Sequence, residues 1–289
     1  MKKVAILGCE NSHANAFLKF IKEKEEFSDV SVVGVYSDQR EAAEKLNAQF
    51  GVPVMDDYAQ AVGQIDGLII TARHGDNHYK YARPYIESGI PMFIDKPITI
   101  DEQEAVAFMK QLKAHDVRIS GGSSLKQDVF VRQLKHNAQN SVGGGTIGGF
   151  VRAPYQSENA YGGFYFYAQH LVEMVCEIFG RFPLSVTAWQ NQKQLHVRFH
   201  YDAYDCMGMF CDNNYVYYAA RMAESDVQGF AIPSSEDWFY EEFKEFYELL
   251  SGKCQTIGYD EFISPVFIMN AIERSLQSKK QEPVGKIEL

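Results

Sequence analysis

The 289 residues carry 38 acidic against 28 basic side chains, a net charge of −10. That excess argues against a nucleic-acid partner, whose phosphates need clustered Lys and Arg. A composition of 46% hydrophobic and 23% charged residues suits a globular chain longer than one ordinary domain, with no apolar run near the ~20 residues that cross a bilayer.

The five cysteines, Cys9, Cys176, Cys206, Cys211 and Cys254, are scattered and never spaced as Cys-x-x-Cys. They predict reduced thiols in a cytoplasmic protein, with a small molecule as ligand and no metal centre. The opening Met-Lys-Lys-VAILG reads as a buried strand, its apolar stretch being short of the roughly 7–15 residues of a secretory signal. VSVVGVYS from Val30, GLIITA from Gly67, PMFIDK from Pro91 and VRISGGSS from Val117 read as further strands, with a shorter one at 52–55. Helices are expected from about Ser12, Arg40, Asp57, Asp76 and Asp101, Thr99 and Glu102 forming a capping box before the last. This alternation predicts an α/β fold: a doubly wound, parallel, Rossmann-type domain over 1–123 with its strand C-termini along one ligand-binding edge.

A helix is expected near 126–140, then the glycine-rich SVGGGTIGG, after which strands follow one another. Residues 124–289 are read as a second, α+β domain with an open, mostly antiparallel sheet. In LHVRFHY, Leu195, Val197, Phe199 and Tyr201 alternate with His196, Arg198 and His200. AYDCMGMFC and NNYVYYAARM are expected as successive partners, turned by Asp212, Asn213 and Asn214. Tyr215 and Tyr217 are assigned to an open aromatic sheet face, which predicts a homo-oligomer through this sheet. Helices at 234–251, with Phe239, Phe243, Phe246, Tyr247 and Leu250 on one stripe, and at 264–279 close the chain.

The first strand runs into Gly8-Cys9-Glu10-Asn11-Ser12-His13, where a dinucleotide fold places its phosphate-binding turn. Gly8 supplies the tight turn, but Glu10 and His13 stand at the second and third glycine positions. A carboxylate ~5 Å from a phosphate charge would cost about 3 kcal/mol at an effective dielectric near 20, so Glu10 must point away, be protonated or weaken binding. Asn11, Ser12 and His13 can donate hydrogen bonds in compensation. At the end of the second strand Asp38 would hold the ribose of NAD, whereas Ser37 with Arg40 would accept the 2′-phosphate of NADP. Either cofactor fits, with the balance towards NAD.

Asp95-Lys96-Pro97, within FIDKPIT, resembles the Glu/Asp-Lys-Pro motif of the Gfo/Idh/MocA oxidoreductases. In chain order, VYSDQREAAEKLNAQFGVPVMDDYAQAV, GTIGGFV from Gly145 and YGGFYFYAQHLVEMV from Tyr161 resemble segments of the same family. The resemblance implies an NAD(P)-dependent oxidoreductase acting on a sugar, polyol or related hydroxylated molecule. It implies that Lys96 contacts both nicotinamide and the substrate hydroxyl, and that His170 is the catalytic histidine. It also places Thr71, Ala72, Arg73, His78 and Asp95 against the cofactor, and Phe166, Tyr167 and Glu173 with His170 around the substrate. A cation beside a hydroxyl stabilises a developing alkoxide, and Pro97 stiffens the turn that aims it.

One departure bears on the chemistry: the family's catalytic aspartate, four residues before the histidine, is Phe166 here. Phe relays no proton, so support for His170 as general base would have to come from Tyr165, Tyr167 or Glu173. Glu10 and Phe166 together motivate a second reading, an altered or non-catalytic member that senses a cofactor or ligand. The pairs His74/His78 and His196/His200 are not read as metal ligands, the second being ~13 Å apart at ~3.3 Å per strand residue.

Overall fold

A computed structural model describes residues 1–289. Five strands form an all-parallel sheet: β1 (Lys2–Leu7), β2 (Val30–Tyr36), β3 (Gly67–Ile70), β4 (Met92–Asp95) and β5 (Ile119–Gly122). Their order is β2-β1-β3-β4-β5, with helices α1 (Ser12–Glu23), α2 (Arg40–Phe50), α3 (Asp76–Ala82) and α4 (Glu102–Ala114) in the crossovers. The three inner strands are apolar because both faces are covered: Val4–Leu7, Leu68–Ile70 and Met92–Ile94 are all inaccessible to solvent. The chain leaves β1 for β2 on one side and reaches β3 on the other, so a crevice opens at the C-terminal end of β1.

Three local expectations change. The strand at 52–55 is a single bridge, Val35 to Val54. The segment from Asp57 is a run of turns, because Asp57 Oδ1 takes the Ala59 N–H and Gly63, at φ 74°, ends it too soon for a helix. Helix α4 is capped by Asp101, whose carboxylate accepts the Glu104 N–H at 2.8 Å. Thr99 instead turns its hydroxyl to the carbonyl of Asp101.

The second sheet contains β6 (Thr146–Tyr155), β7 (Ser185–Asn191), β8 (Gln194–His200), β9 (Asp205–Asp212), β10 (Tyr217–Ala223), β11 (Val227–Ile232) and β12 (Glu282–Pro283). Its order is β11-β10-β6-β9-β8-β7-β12, antiparallel except for β6 with β9. β8 behaves as its alternation requires, with Leu195, Val197 and Phe199 buried. β9 and β10 are not neighbours, because β6 lies between them; Asn213 carries the chain over its end, donating from N–H to the Tyr155 carbonyl. Tyr217 belongs to the helix-facing core, and it is Tyr218 that lies on the outer face, where it approaches Phe150 at 6.2 Å.

Helices α5 (Val129–Gln139) and α6 (Tyr165–Phe179) cover the inner face of this sheet, α6 being buried almost all round. The last two helices return to the first sheet. In α7 (Asp237–Leu250) the aromatic stripe packs on the N-terminal core, the Phe243 ring lying 5.1 Å from Phe17 and 4.8 Å from Phe27. α8 (Tyr259–Ser278) gives Phe262, Ile263, Val266 and Phe267 to the first core and Ile268, Met269, Ala271 and Ile272 to the second. It starts five residues before Ser264: Gly258 is its cap, and the Glu261 carboxylate returns to the Gly258 N–H at 2.9 Å. Pro265 is tolerated inside it because the Glu261 carbonyl it leaves unbonded accepts Ser264 Oγ and Arg181 Nη1.

A helix from the C-terminal half that completes the N-terminal core should couple the two halves in unfolding. Phe243→Ala is expected to destabilise the chain by roughly 3–5 kcal/mol in one cooperative denaturant transition. A loss below about 1 kcal/mol would show that α7 is only loosely docked.

Candidate active site

The site begins at the turn after β1. Gly8 has φ 75°, and a Cβ there would fall 2.4 Å from Cα of Ala72, so only glycine fits. The N–H groups of Glu10, Asn11 and Ser12 that follow have no acceptor in the chain, as the first donors of a helix do not. A cleft of about 740 Å³ opens beside them, bordered by Cys9, Glu10, Asn11, Arg40 and Lys45. Free N–H donors and a lysine on the wall suit the diphosphate of a dinucleotide.

The Glu10 carboxylate is tied to two other groups. Its Oε2 accepts the Ser37 hydroxyl at 2.7 Å and its Oε1 the Arg73 N–H at 3.0 Å, so the carboxylate lies across the ends of β2 and β3. Asp38 is turned to Tyr36 and Lys80, at 2.7 and 3.2 Å, and Arg40 to Glu44 and Asp56. Thr71 and Ala72 are fully buried, Thr71 Oγ1 bonding the Gly8 carbonyl at 2.9 Å; they form the floor of the crevice. Ser12 is exposed on the first turn of α1. His78 is buried between the carbonyls of Ala72 and Ile98, at 2.8 and 3.2 Å, which leaves neither ring nitrogen for a metal.

Asp95, at the end of β4, is completely buried and fully used. One oxygen accepts the Lys96 N–H at 2.7 Å; the other accepts Asn11 Nδ2 at 2.8 Å and faces His13 Nδ1 at 3.1 Å. Asn11 also caps α1 through the His13 N–H and donates to the Thr71 carbonyl. The other nitrogen of His13 meets Glu242 of α7 at 3.2 Å, with the Phe239 ring 4.4 Å away. Where a dinucleotide fold has its third glycine for close packing, this chain therefore has an imidazole between two buried carboxyls. Burial works to lower the pKa of His13, but Asp95 and Glu242 outweigh it and raise it. Burial pushes Glu242 up to about 7, against the pull of His13, and its second oxygen has no partner.

Lys96 leaves β4 into the same space. Its Nζ donates to the Phe166 carbonyl at 2.9 Å and sits 4.1 Å from the Phe166 ring centre and 5.2 Å from that of Tyr167. Burial, helped by the charge of Arg73 and opposed by Asp95, brings the ammonium down to about 8. His170, on α6, lies 5.8 Å from the Tyr167 ring, so the lysine and the histidine flank one tyrosine. Burial, then the charges of Lys96 and His13, hold its imidazole well below the ordinary value. The ring is neutral near pH 7.

The partner of His170 is one the sequence reading did not consider. Its Nδ1 is 2.7 Å from Ser123 Oγ, at the end of β5. Ser123 Oγ already accepts the Leu125 N–H and has a second lone pair for Nδ1–H, a tautomer that frees Nε2. Of the three substitutes weighed above, Tyr165 turns to Asn270 and Glu273, and Glu173 to Gln169 and Arg181. Tyr167 alone faces the histidine. Arg73 stacks on Tyr161 and donates to its hydroxyl at 3.1 Å, closing the site from the other side. Glu242 and Ser123 left faint traces in the sequence: a carboxylate at core spacing among Phe239, Phe243 and Phe246, and a serine pair at a strand end.

Residues 2–123 match the Gfo/Idh/MocA family, described as an oxidoreductase family with an NAD-binding Rossmann fold. The match spans all five strands of the parallel sheet. No curated protein matches the sequence. Among solved structures, scyllo-inositol dehydrogenase from Lactobacillus casei with bound NAD(H) and scyllo-inositol is 14% identical, with TM-score 0.85 over 99% of this chain and 100% of that one. A myo-inositol dehydrogenase from Corynebacterium glutamicum is 14% identical, with TM-score 0.84 over 99% of both chains. GenD2 from gentamicin A biosynthesis, in complex with NAD, is 13% identical, with TM-score 0.84 over 99% of this chain and 97% of that one. At these identities the likeness is one of fold, and it spans both sheets, whereas the family match covers the first. No helix is long and apolar enough to cross a membrane.

The raised pKa of Glu242 has a thermodynamic signature. Glu242 holds its proton more tightly when folded, so the stability it contributes is complete below the unfolded carboxyl range and is lost as pH rises through about 7. The difference in unfolding free energy between the natural chain and Glu242→Gln should therefore shift by about 1 kcal/mol from pH 6 to pH 8, to the disadvantage of the natural chain at the higher pH. A difference that is flat with pH would place the proton elsewhere.

Proposed function

We propose that this protein is an NAD(P)-dependent oxidoreductase, in the cytoplasm, acting on a sugar, polyol or related hydroxylated molecule. The observation that carries the reading is the convergence of Lys96 and His170 on Tyr167 at the C-terminal edge of a family Rossmann sheet. The inositol specificity of two structural neighbours supports a polyhydroxylated substrate by analogy of fold. The cofactor supplies or accepts hydride at its nicotinamide ring. Gly8 and the N–H groups of Glu10, Asn11 and Ser12 would hold its diphosphate, with Arg73 beside it. We propose the units 1–123 for the cofactor and 124–289 for substrate and assembly.

The residues of the chain then have distinct tasks. Lys96 polarises the substrate oxygen, and an ammonium with a lowered pKa releases or takes back a proton near neutrality more readily than an exposed lysine. His170, neutral and oriented by Ser123, takes the hydroxyl proton at Nε2. The ring of Phe166 covers Lys96 and keeps water from it, and Tyr167 forms the wall on which both groups act.

The rival reading, a cofactor or ligand sensor, is favoured by one observation: Lys96 Nζ is already bonded to the Phe166 carbonyl. Nicotinamide fluorescence on titration with NADH, followed by turnover on a panel of polyols and sugars, separates the two, since binding without turnover selects the sensor. For the enzyme, Lys96→Met should retain the fold and NADH binding while lowering turnover by about 100-fold. His170→Asn should have a loss of similar size, about 100-fold. In the direction of carbonyl reduction, turnover should fall as pH rises through about 8, where Lys96 loses its proton. A Lys96→Met enzyme with unchanged kcat would contradict the assignment.

The outer face of the second sheet presents Phe150, Met207, Met209, Tyr218, Met222 and Trp189. We propose that this face joins two copies of the chain, as exposed apolar sheet surfaces do. Sedimentation at micromolar concentration is expected to give a dimer or tetramer, and a monomer would contradict it.

A further inference from the structure

An acidic side chain at the end of the second strand is what a dinucleotide fold uses to receive the adenosine ribose hydroxyls. Here that position is Ser37, which has no charge to offer. The neighbouring Asp38 takes three partners, the Tyr36 and Tyr81 hydroxyls and the Lys80 ammonium, which leaves it no pair of free positions for two ribose hydroxyls. The carboxylate that does reach the end of β2 is that of Glu10, from the β1–α1 turn, fastened by the Ser37 hydroxyl and the Arg73 N–H. We propose that Glu10 is the specificity-determining acid of this site: it takes the ribose 2′- and 3′-hydroxyls of NAD and excludes the 2′-phosphate of NADP.

The donor inventory supports this. A carboxylate offers about four lone-pair positions, of which Ser37 and Arg73 use two, leaving two for a pair of ribose hydroxyls. Its fasteners sit at the ends of β2 and β3, so the carboxylate lies in the crevice at the end of β1. The glutamate that replaces the second glycine is thereby tied to the residue at the end of β2, where a dinucleotide fold receives the ribose. A 2′-phosphate at the same place would set two like charges within a few ångströms. Arg40, a cation on the cleft wall, is already paired with Glu44 and Asp56.

The inference rests on the dinucleotide-binding reading above, and binding to the full-length protein tests it independently of turnover. Isothermal titration with NAD, NADP and 2′-deoxy-NAD should show NAD at least about 100-fold tighter than NADP. Glu10→Gln, which keeps size and shape, should cut that ratio by 10-fold or more and remove the penalty for 2′-deoxy-NAD. Ser37→Ala, which loosens the carboxylate without removing it, should fall between. If Glu10→Gln tightens NAD and NADP by the same factor, Glu10 acts only on the diphosphate and the inference fails while the cofactor reading stands. If no variant binds either dinucleotide, both fail.

Discussion

The buried carboxylate of Asp95 is the constraint from which the rest of the site follows. A carboxylate with no access to water is tolerable only when its oxygens are bonded, and here they are bonded by three groups from two parts of the chain. The Lys96 N–H fixes the turn that carries the lysine. Asn11 fixes the start of α1 and, through Thr71, the end of β3. His13 extends the network to Glu242, and so anchors α7, a helix from the other half of the molecule. The strand ends, the phosphate-type turn and the C-terminal helix are thus held by one charge.

That arrangement also sets the electrostatics around the reacting groups. Asp95 keeps Lys96 from losing its proton altogether, against burial and the nearby Arg73, and the balance falls close to neutrality. His170 lies across the Tyr167 ring, where burial and the charges of Lys96 and His13 keep it neutral. In this aromatic enclosure the ammonium and the imidazole are both pushed below their ordinary values. The enclosure of Phe166, Tyr167 and Tyr161 is therefore part of what sets these shifts, since the same residues in water would keep their ordinary values.

Much of the fold was legible in the sequence because its signals are local. Runs such as VAIL and GLII are apolar throughout only when a strand is covered on both faces, and LHVRFHY alternates only when one face is. The order of the second sheet was not legible, because no local signal tells that β6 inserts between β9 and β10. Tyr217 was assigned to the wrong face for a related reason: the count of alternation depends on where the strand begins. Within the site, Lys96 and His170 could be named from motifs. Their partners Ser123 and Glu242, by contrast, arrive from distant segments, and only the tertiary fold brings an ordinary serine and an acid in an aromatic stripe into position. Glu10 could be recognised as an intruder in a glycine turn, but where its carboxylate settles depends on Ser37 and Arg73.

The central claim is that one crevice binds a dinucleotide so that its nicotinamide meets Lys96 and His170. The most direct measurement is a crystal structure of the full chain with NADH. The account predicts the adenosine ribose beside Glu10, the diphosphate on the N–H groups of Glu10, Asn11 and Ser12, and the nicotinamide ring between Lys96 Nζ and the His170 imidazole against Tyr167. A dinucleotide bound with its nicotinamide directed away from Lys96, or bound outside the crevice, would contradict it.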